Sequence, residues 1–210
     1  MNRNSYGIFI KYPEPGRVKT RLAKDVGNEK AAGISRQVAE QIMKNTFCVD
    51  QNYKRIVFYD PPERLRYFEQ WLGHEQFISQ QGKDVGERMD LAIRALLDRG
   101  AEKAILTGAD IPGLNSTIIS EAFAVLDDAE IVIGPAKDGG YYLIGMKEPH
   151  LELFQGIPWS TPKVYEETIR ILKQLHLRYR CTEMLSDLDT TEDYSRFLIQ
   201  DAHLTPEMPS

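Results

Sequence analysis

Apolar residues along this chain fall into two alternating rhythms. Short, nearly unbroken runs occur at YGIFIK (6–11), RIVFYD (55–60), FIS (77–79), KAILTG (103–108), EIVIGPA (130–136), YYLIGMK (141–147) and RYRCTEM (178–184). Runs of that length, rich in β-branched and aromatic side chains, predict strands buried on both faces. Between them, apolar positions recur every three or four residues. Ala31, Ile34, Val38, Ile42 and Thr46 predict a helix over 29–49, Leu65, Phe68 and Leu72 a short one, and Met89, Ile93 and Leu96 another that stops at Gly100. Ile118, Ala122 and Val125 mark the next. In STPKVYEETIRILKQL, Thr161 is the expected cap and Pro162 the first helical residue, and Thr191 is the expected cap of a last helix.

Strands alternating with helices predict an α/β domain of three layers around a mostly parallel sheet, with the ligand site where loops leave the carboxyl ends of the strands. Only the KDGG stretch at 137–140 is too short for a helical crossover, so its flanking strands form a hairpin or a bend. Residues 1–202 read as a single domain and 203–210 as a loose tail.

Composition narrows the classes. Net charge is −5, from 26 basic and 31 acidic residues, which disfavours broad nucleic-acid or membrane-surface binding but allows a concentrated anion pocket. No apolar run is long enough to cross a bilayer and none resembles a secretion signal, so a cytoplasmic protein is expected. Cys48 and Cys181 show no metal spacing and read as reduced core residues. The four histidines, His74, His150, His176 and His203, share no motif.

Against that acidic background, KYPEPGRVKTRLA (11–23) stands out, with Lys11, Arg17, Lys19 and Arg21 directly after the first strand. It lacks the GxxxxGK[ST] phosphate loop, and the chain has no GxGxxG. What it offers is a Pro15-Gly16 turn and then Arg17, Lys19 and Arg21 near a helix start, a set able to hold pyrophosphate; a solvated basic loop is the competing reading. Asp110 in LTGADIPGL follows the fourth strand and can hold a hard divalent cation or merely cap a turn. SDLDTTED contains a DxDxT pattern, but only 19 residues follow Thr191, which excludes an aspartate-nucleophile phosphatase. Asp189, or Asp187, is instead a possible second carboxylate at the same sheet edge, with Thr190 or Thr191 capping the last helix. In GPAKDGGYYLIG, Gly139 and Gly140 permit close backbone approach beside Lys137 and Asp138, or simply make a hairpin turn.

Taken in order, KYPEPGRVKTRLA, QQGKDVGERM, LTGADIPGL, GPAKDGGYYLIG, IPWSTP and DLDTTED resemble a bacterial family of small GT-A-type transferases, long treated as a domain of unknown function, whose members carry proposed glycosyltransferase or nucleotide-diphospho-sugar transferase activities. More distantly the order is similar to 2-phospholactate guanylyltransferase and the molybdenum-cofactor nucleotidyltransferases. The resemblance implies a GT-A-like nucleotide-diphospho-sugar transferase fold. It also implies Gly16, Arg17, Lys19 and Arg21 on phosphates, Gln81 and Gly82 near the base, and Asp110 and Asp189 on Mg²⁺ or Mn²⁺. Asp138, Gly139 and Gly140 would then face the second substrate, bordered by Trp159 and Ser160, with Lys19, Arg21 and Asp138 as the catalytic set. The loop lacks the GxGTR form, and GADIP lacks the DxD of many metal-dependent glycosyltransferases.

The expected ligands are a nucleotide or nucleotide sugar and a small-molecule acceptor, with no nucleic acid or membrane partner. Glycosyl transfer from a nucleotide sugar is the leading expectation and nucleotidyl transfer from a triphosphate the alternative. A catalytically inactive nucleotide sensor is the third reading, and retention of both acidic loops counts against it.

Overall fold

The computed structural model describes residues 3–47 and 52–204. Seven strands run in the spatial order β3-β2-β1-β4-β6-β5-β7. They are β1 (Asn4–Lys11), β2 (Lys54–Asp60), β3 (Phe77–Ser79), β4 (Lys103–Gly108), β5 (Ile131–Pro135), β6 (Tyr141–Met146) and β7 (Tyr179–Cys181). β6 alone is antiparallel: it turns back at KDGG and inserts between β4 and β5. The hairpin expected there is present, and it separates two parallel halves of the sheet.

Among the described residues, seven helices cover the faces: α1 (Thr20–Val26), α2 (Asn28–Asn45), α3 (Leu65–Leu72), α4 (Val85–Leu97), α5 (Ser116–Asp128), α6 (Val164–Gln174) and α7 (Thr191–Leu204). Period-two alternation assigns strand residues to two cores. Ile8, Val57, Tyr59 and Ile105 pack with Leu22, Val38, Phe68, Ile119 and Phe197 on one face. Ile56, Phe58 and Leu106 pack with Ile93, Leu96, Phe154 and Leu172 on the other. Both sides of each central strand are therefore dry, which is why the strands read as unbroken apolar runs.

Several boundaries differ from expectation. The basic stretch is loop only as far as Lys19, because TRLAKDV forms α1 and Gly27 separates it from α2. α2 ends at Asn45, where the expected helix runs on to 49, and residues 48–51 lie outside the described residues. α6 begins at Val164, not Pro162, and Thr161 Oγ1 donates to the Pro158 carbonyl and accepts from Lys163 N in the turn before it. Thr190 caps α7: its Oγ1 accepts from Asp193 N at 3.2 Å, while the Asp193 carboxylate accepts from Thr190 N at 2.9 Å. This reciprocal arrangement is worth about 1 kcal/mol. α7 continues to Leu204, into the expected tail, and residues 205–210 lie outside the described residues, as does Cys48. Cys181 is exposed, a correction to its reading as core, because β7 is an edge strand of only three residues with one covered position.

The hairpin strand is packed too closely for any side chain at Gly145, where an added Cβ would stand 2.8 Å from both Ile105 Cγ1 and Val132 Cγ1. Gly145→Ala is expected to lower stability by about 1–3 kcal/mol in urea unfolding; an unchanged midpoint would contradict this packing.

Candidate active site

The carboxyl ends of β1, β2, β4 and β5 share one edge of the sheet, and four loops meet there. The first leaves β1 through a turn in which Gly16 has φ +77° and Arg17 N bonds to the Glu14 carbonyl at 3.0 Å. It ends at Lys19, whose backbone is left-handed at φ 44°, ψ 47°, a conformation costly for a side chain with a Cβ. That backbone aims the ammonium inward. Lys19 Nζ donates to Asp110 Oδ1 at 2.8 Å and to the Leu188 carbonyl at 2.6 Å, and its side chain is only 3% exposed. Leu188 N in turn donates to the Asp110 carbonyl at 3.0 Å. The loops after β1, β4 and β7 thus close on one another around a single buried cation.

Asp110 keeps 60% of its side chain exposed. Arg21 NH1 pairs with Asp189 Oδ2 at 3.4 Å, and Arg17 lies 3.7 Å from Glu14, which also receives Arg64 at 3.1 Å. A cavity of about 180 Å³ at the end of β1 is lined by Lys11, Arg17, Lys19 and Asp110. The structure therefore brings Arg17, Lys19, Arg21, Asp110 and Asp189 together.

A second pair of carboxylates completes the acidic side. Asp138 Oδ1 accepts from Gly140 N at 2.8 Å, which fixes the turn. The Asp187 carboxyl is pushed up to about 6 by burial, against a hydrogen bond from its own backbone, with the charges of Asp138 and Asp189 and a hydrogen bond with Asp138 adding to the rise. Asp189 is also raised, chiefly by burial and by Asp110 and Asp138, while Lys19 and Arg21 pull it back. Asp110, Asp138, Asp187 and Asp189 therefore feel one another. Among the described residues, no group of three or more His, Cys, Asp or Glu is arranged as a metal cage.

The remaining expected residues lie outside this cluster of ion pairs and make contacts of their own. Gly139, at φ +90°, lies against the backbone of Pro162, where a Cβ would stand 2.3 Å from the carbonyl oxygen, and its own carbonyl accepts from Tyr165 N at 2.9 Å. The close approach is to the start of α6. Gly82, at φ +125°, folds onto α4 with its carbonyl accepting from Arg88 Nε at 3.2 Å, and exposed Gln81 bonds Ser79 at 2.9 Å. Trp159 stands edge-on to Tyr141 at 6.4 Å, followed by Ser160 at φ +62°. Glu14 and Arg64, which hold the basic loop, were not singled out in the sequence: Glu14 lies within the basic stretch but was passed over, and no motif marks Arg64.

The bacterial family described as "Uncharacterized protein conserved in bacteria (DUF2064)" matches residues 45–161, more than half of the chain. The chain belongs to the DUF2064 family. A crystal structure of a protein from Desulfovibrio desulfuricans G20, with a proposed nucleotide-diphospho-sugar transferase activity, is similar at TM-score 0.90 and 33% identity over 98% of this chain and 90% of that one. The fold is shared with CMP:2-keto-3-deoxy-manno-octonic acid synthetase bound to CTP, at TM-score 0.59 and 12% identity over 96% of this chain and 100% of that one. It is also shared with 4-diphosphocytidyl-2C-methyl-D-erythritol synthase of Anaerococcus prevotii, at TM-score 0.61 and 11% identity over 97% and 96%. No curated protein matches the sequence. The chain thus has the α/β nucleotide-diphospho-sugar transferase fold. Among the described residues, no helix is long and apolar enough to cross a membrane.

A carboxyl that titrates higher when folded than its ordinary 3.8 costs stability as pH rises through about 6. Asp187→Asn, neutral throughout, is expected to exceed the wild type by roughly 1 kcal/mol above that pH, a figure reduced for half-exposure, with the gain gone near pH 4. Melting curves against pH in metal-free buffer check this; equal melting points at every pH would contradict the acidic cluster.

Proposed function

We propose that the protein is a divalent-cation-dependent transferase acting on a nucleotide-linked substrate, moving a glycosyl group from a nucleotide sugar to a small-molecule acceptor. The observation carrying this reading is the convergence of Arg17, Lys19 and Arg21 with Asp110, Asp138, Asp187 and Asp189 at one sheet edge. Such an edge offers guanidinium forks for phosphate oxygens beside hard oxygen donors for a cation. The similarity to the Desulfovibrio desulfuricans protein over nearly the whole chain supports it.

Arg17 and Arg21 have side chains 63% and 70% exposed and are free to swing onto phosphates. Lys19 is a positioning residue: it fixes Asp110 and the last loop. Asp110 and Asp189 would hold Mg²⁺ or Mn²⁺. Their donor chemistry fits, since such an ion takes one or two protein carboxylates and fills its other positions with phosphate oxygens and water. When bound, the ion would neutralise charge on the departing diphosphate. Asp138, held through Oδ1 by Gly140 N, would take the proton from the acceptor hydroxyl as its oxygen bonds to the sugar anomeric carbon. The bond from that carbon to the phosphate oxygen breaks, and its electron pair leaves with the nucleoside diphosphate.

One observation favours nucleotidyl transfer. A cavity of about 260 Å³ is lined by Lys137 and Arg196 together with Asp187 and Asp193, and its two cations would meet an anionic acceptor. Its phosphate would attack the α-phosphorus and release pyrophosphate with little need of a base.

Thermal-shift titration with nucleotide sugars and nucleoside triphosphates, with and without Mn²⁺, separates the readings. One nucleotide sugar is expected to stabilise the protein by about 2.7 kcal/mol at a hundredfold excess over its Kd, with the shift lost without metal or in Asp110→Ala. A triphosphate preference selects nucleotidyl transfer, and no metal-dependent shift with any nucleotide sinks both. Asp138→Asn is expected to reduce glycosyl turnover roughly 100-fold or more with donor binding unchanged; unchanged turnover would remove it as the base.

A further inference from the structure

Glu14 divides its carboxylate between two guanidiniums. Oε1 accepts from Arg64 Nη2 at 3.1 Å, and Oε2 stands 3.7 Å from Arg17 Nη1. The two arginines are held very differently. Arg64, from the short turn Pro62–Arg64 that follows β2, lies over the rings of Tyr12 at 5.3 Å and Tyr67 at 4.9 Å. Two ring faces and a carboxylate therefore fix it. Arg17 keeps most of its side chain in solvent, and among the described residues its one ion pair is with Glu14.

This array is anchored in the core. Tyr12 stands edge-on to Phe68 at 5.6 Å and to Trp71 at 6.2 Å, both on α3, and Phe68 is fully buried. Tyr12 N also donates to the Asp60 carbonyl at 2.7 Å, which ties the loop after β1 to the end of β2. A chain of contacts thus runs from α3 through Arg64 and Glu14 to the exposed Arg17.

Giving Nη1 to Glu14 leaves Arg17 with its Nε and Nη2 donors for a ligand. An exposed arginine gives up rotamer freedom when it binds phosphate, and a contact that already restricts it lowers that cost. The charge of Arg64 offsets that of Glu14, so the carboxylate brings little net repulsion to an incoming anion. We propose that Glu14 and Arg64 are positioning residues for the ligand edge: Arg64 anchors Glu14, and Glu14 aims the Arg17 guanidinium at the diphosphate of the substrate. This inference rests on the reading of Arg17 as a phosphate contact. A carboxylate that merely repelled anions or competed for Arg17 would have the opposite effect on binding.

Calorimetric titration of the full chain with inorganic pyrophosphate in Mg²⁺ buffer tells the two apart. Glu14→Gln removes a negative charge yet is expected to weaken binding about three- to fivefold, where simple repulsion or competition would make its loss tighten binding. Arg64→Lys keeps the charge without the planar fork and is expected to cost a similar factor. Both losses are expected to vanish in an Arg17→Ala background, since residues that act through one side chain are not additive. The Arg17 Nε–H NMR signal, identified by its absence in Arg17→Ala, is expected to show increased fast motion in Glu14→Gln and Arg64→Lys, which a change in fold stability alone would not produce.

Unchanged or tighter binding by Glu14→Gln, or an undiminished loss without Arg17, overturns the inference and leaves the transferase reading in place. Wild-type binding that Arg17→Ala does not weaken removes Arg17 from the phosphates and the inference with it. No pyrophosphate binding by the wild type sinks both. Should Arg64→Lys not fold, Glu14→Gln decides.

Discussion

A dry ammonium is the constraint on which the candidate site depends. Lys19 is withdrawn from water, and a buried charge is tolerable only when its donors are matched. Two partners match it here, the Asp110 carboxylate and the Leu188 carbonyl, from loops 91 and 169 residues away. The arrangement is lopsided in a useful way. The lysine end is closed, while Asp110 remains largely open to solvent with a second oxygen to offer. The left-handed backbone at Lys19 is the conformational cost of that placement.

Much of the architecture was legible because sheet burial writes itself directly into the strands. β4 falls on KAILTG as read, since the middle of a strand covered on both faces is mostly apolar, and β3 falls on FIS although it is a half-buried edge strand. The boundaries that moved are those set by single hydrogen bonds. α1 was hidden inside the basic loop, as its seven residues contain one buried side chain, Leu22, too little for a periodic signal. α6 starts late because Thr161 closes a turn before it, its hydroxyl donating to the Pro158 carbonyl and accepting from Lys163 N. Cys181 looked like core because RYRCTEM resembles the other strands; only the sheet order puts β7 at an edge.

The site was legible to a different depth. A carboxylate or a basic cluster just past an apolar strand announces its place on the ligand-bearing edge, so Asp110, Asp138 and Asp189 could be grouped from spacing and topology. Pairing could not. Nothing local distinguishes Lys19, whose side chain is buried, from Arg17 and Arg21, whose side chains stay largely exposed beside Glu14 and Asp189.

The span closed by Lys19 bears on how the chain is made. Most of the central sheet, β1 to β4 with their helices, is encoded before residue 110, and domains begin to form as synthesis proceeds from the N-terminus. The carbonyl that completes the lysine's coordination comes from Leu188. A chain that has not yet reached Leu188 leaves the ammonium without one of its two acceptors, so the ligand edge closes only when the C-terminal segment is in place.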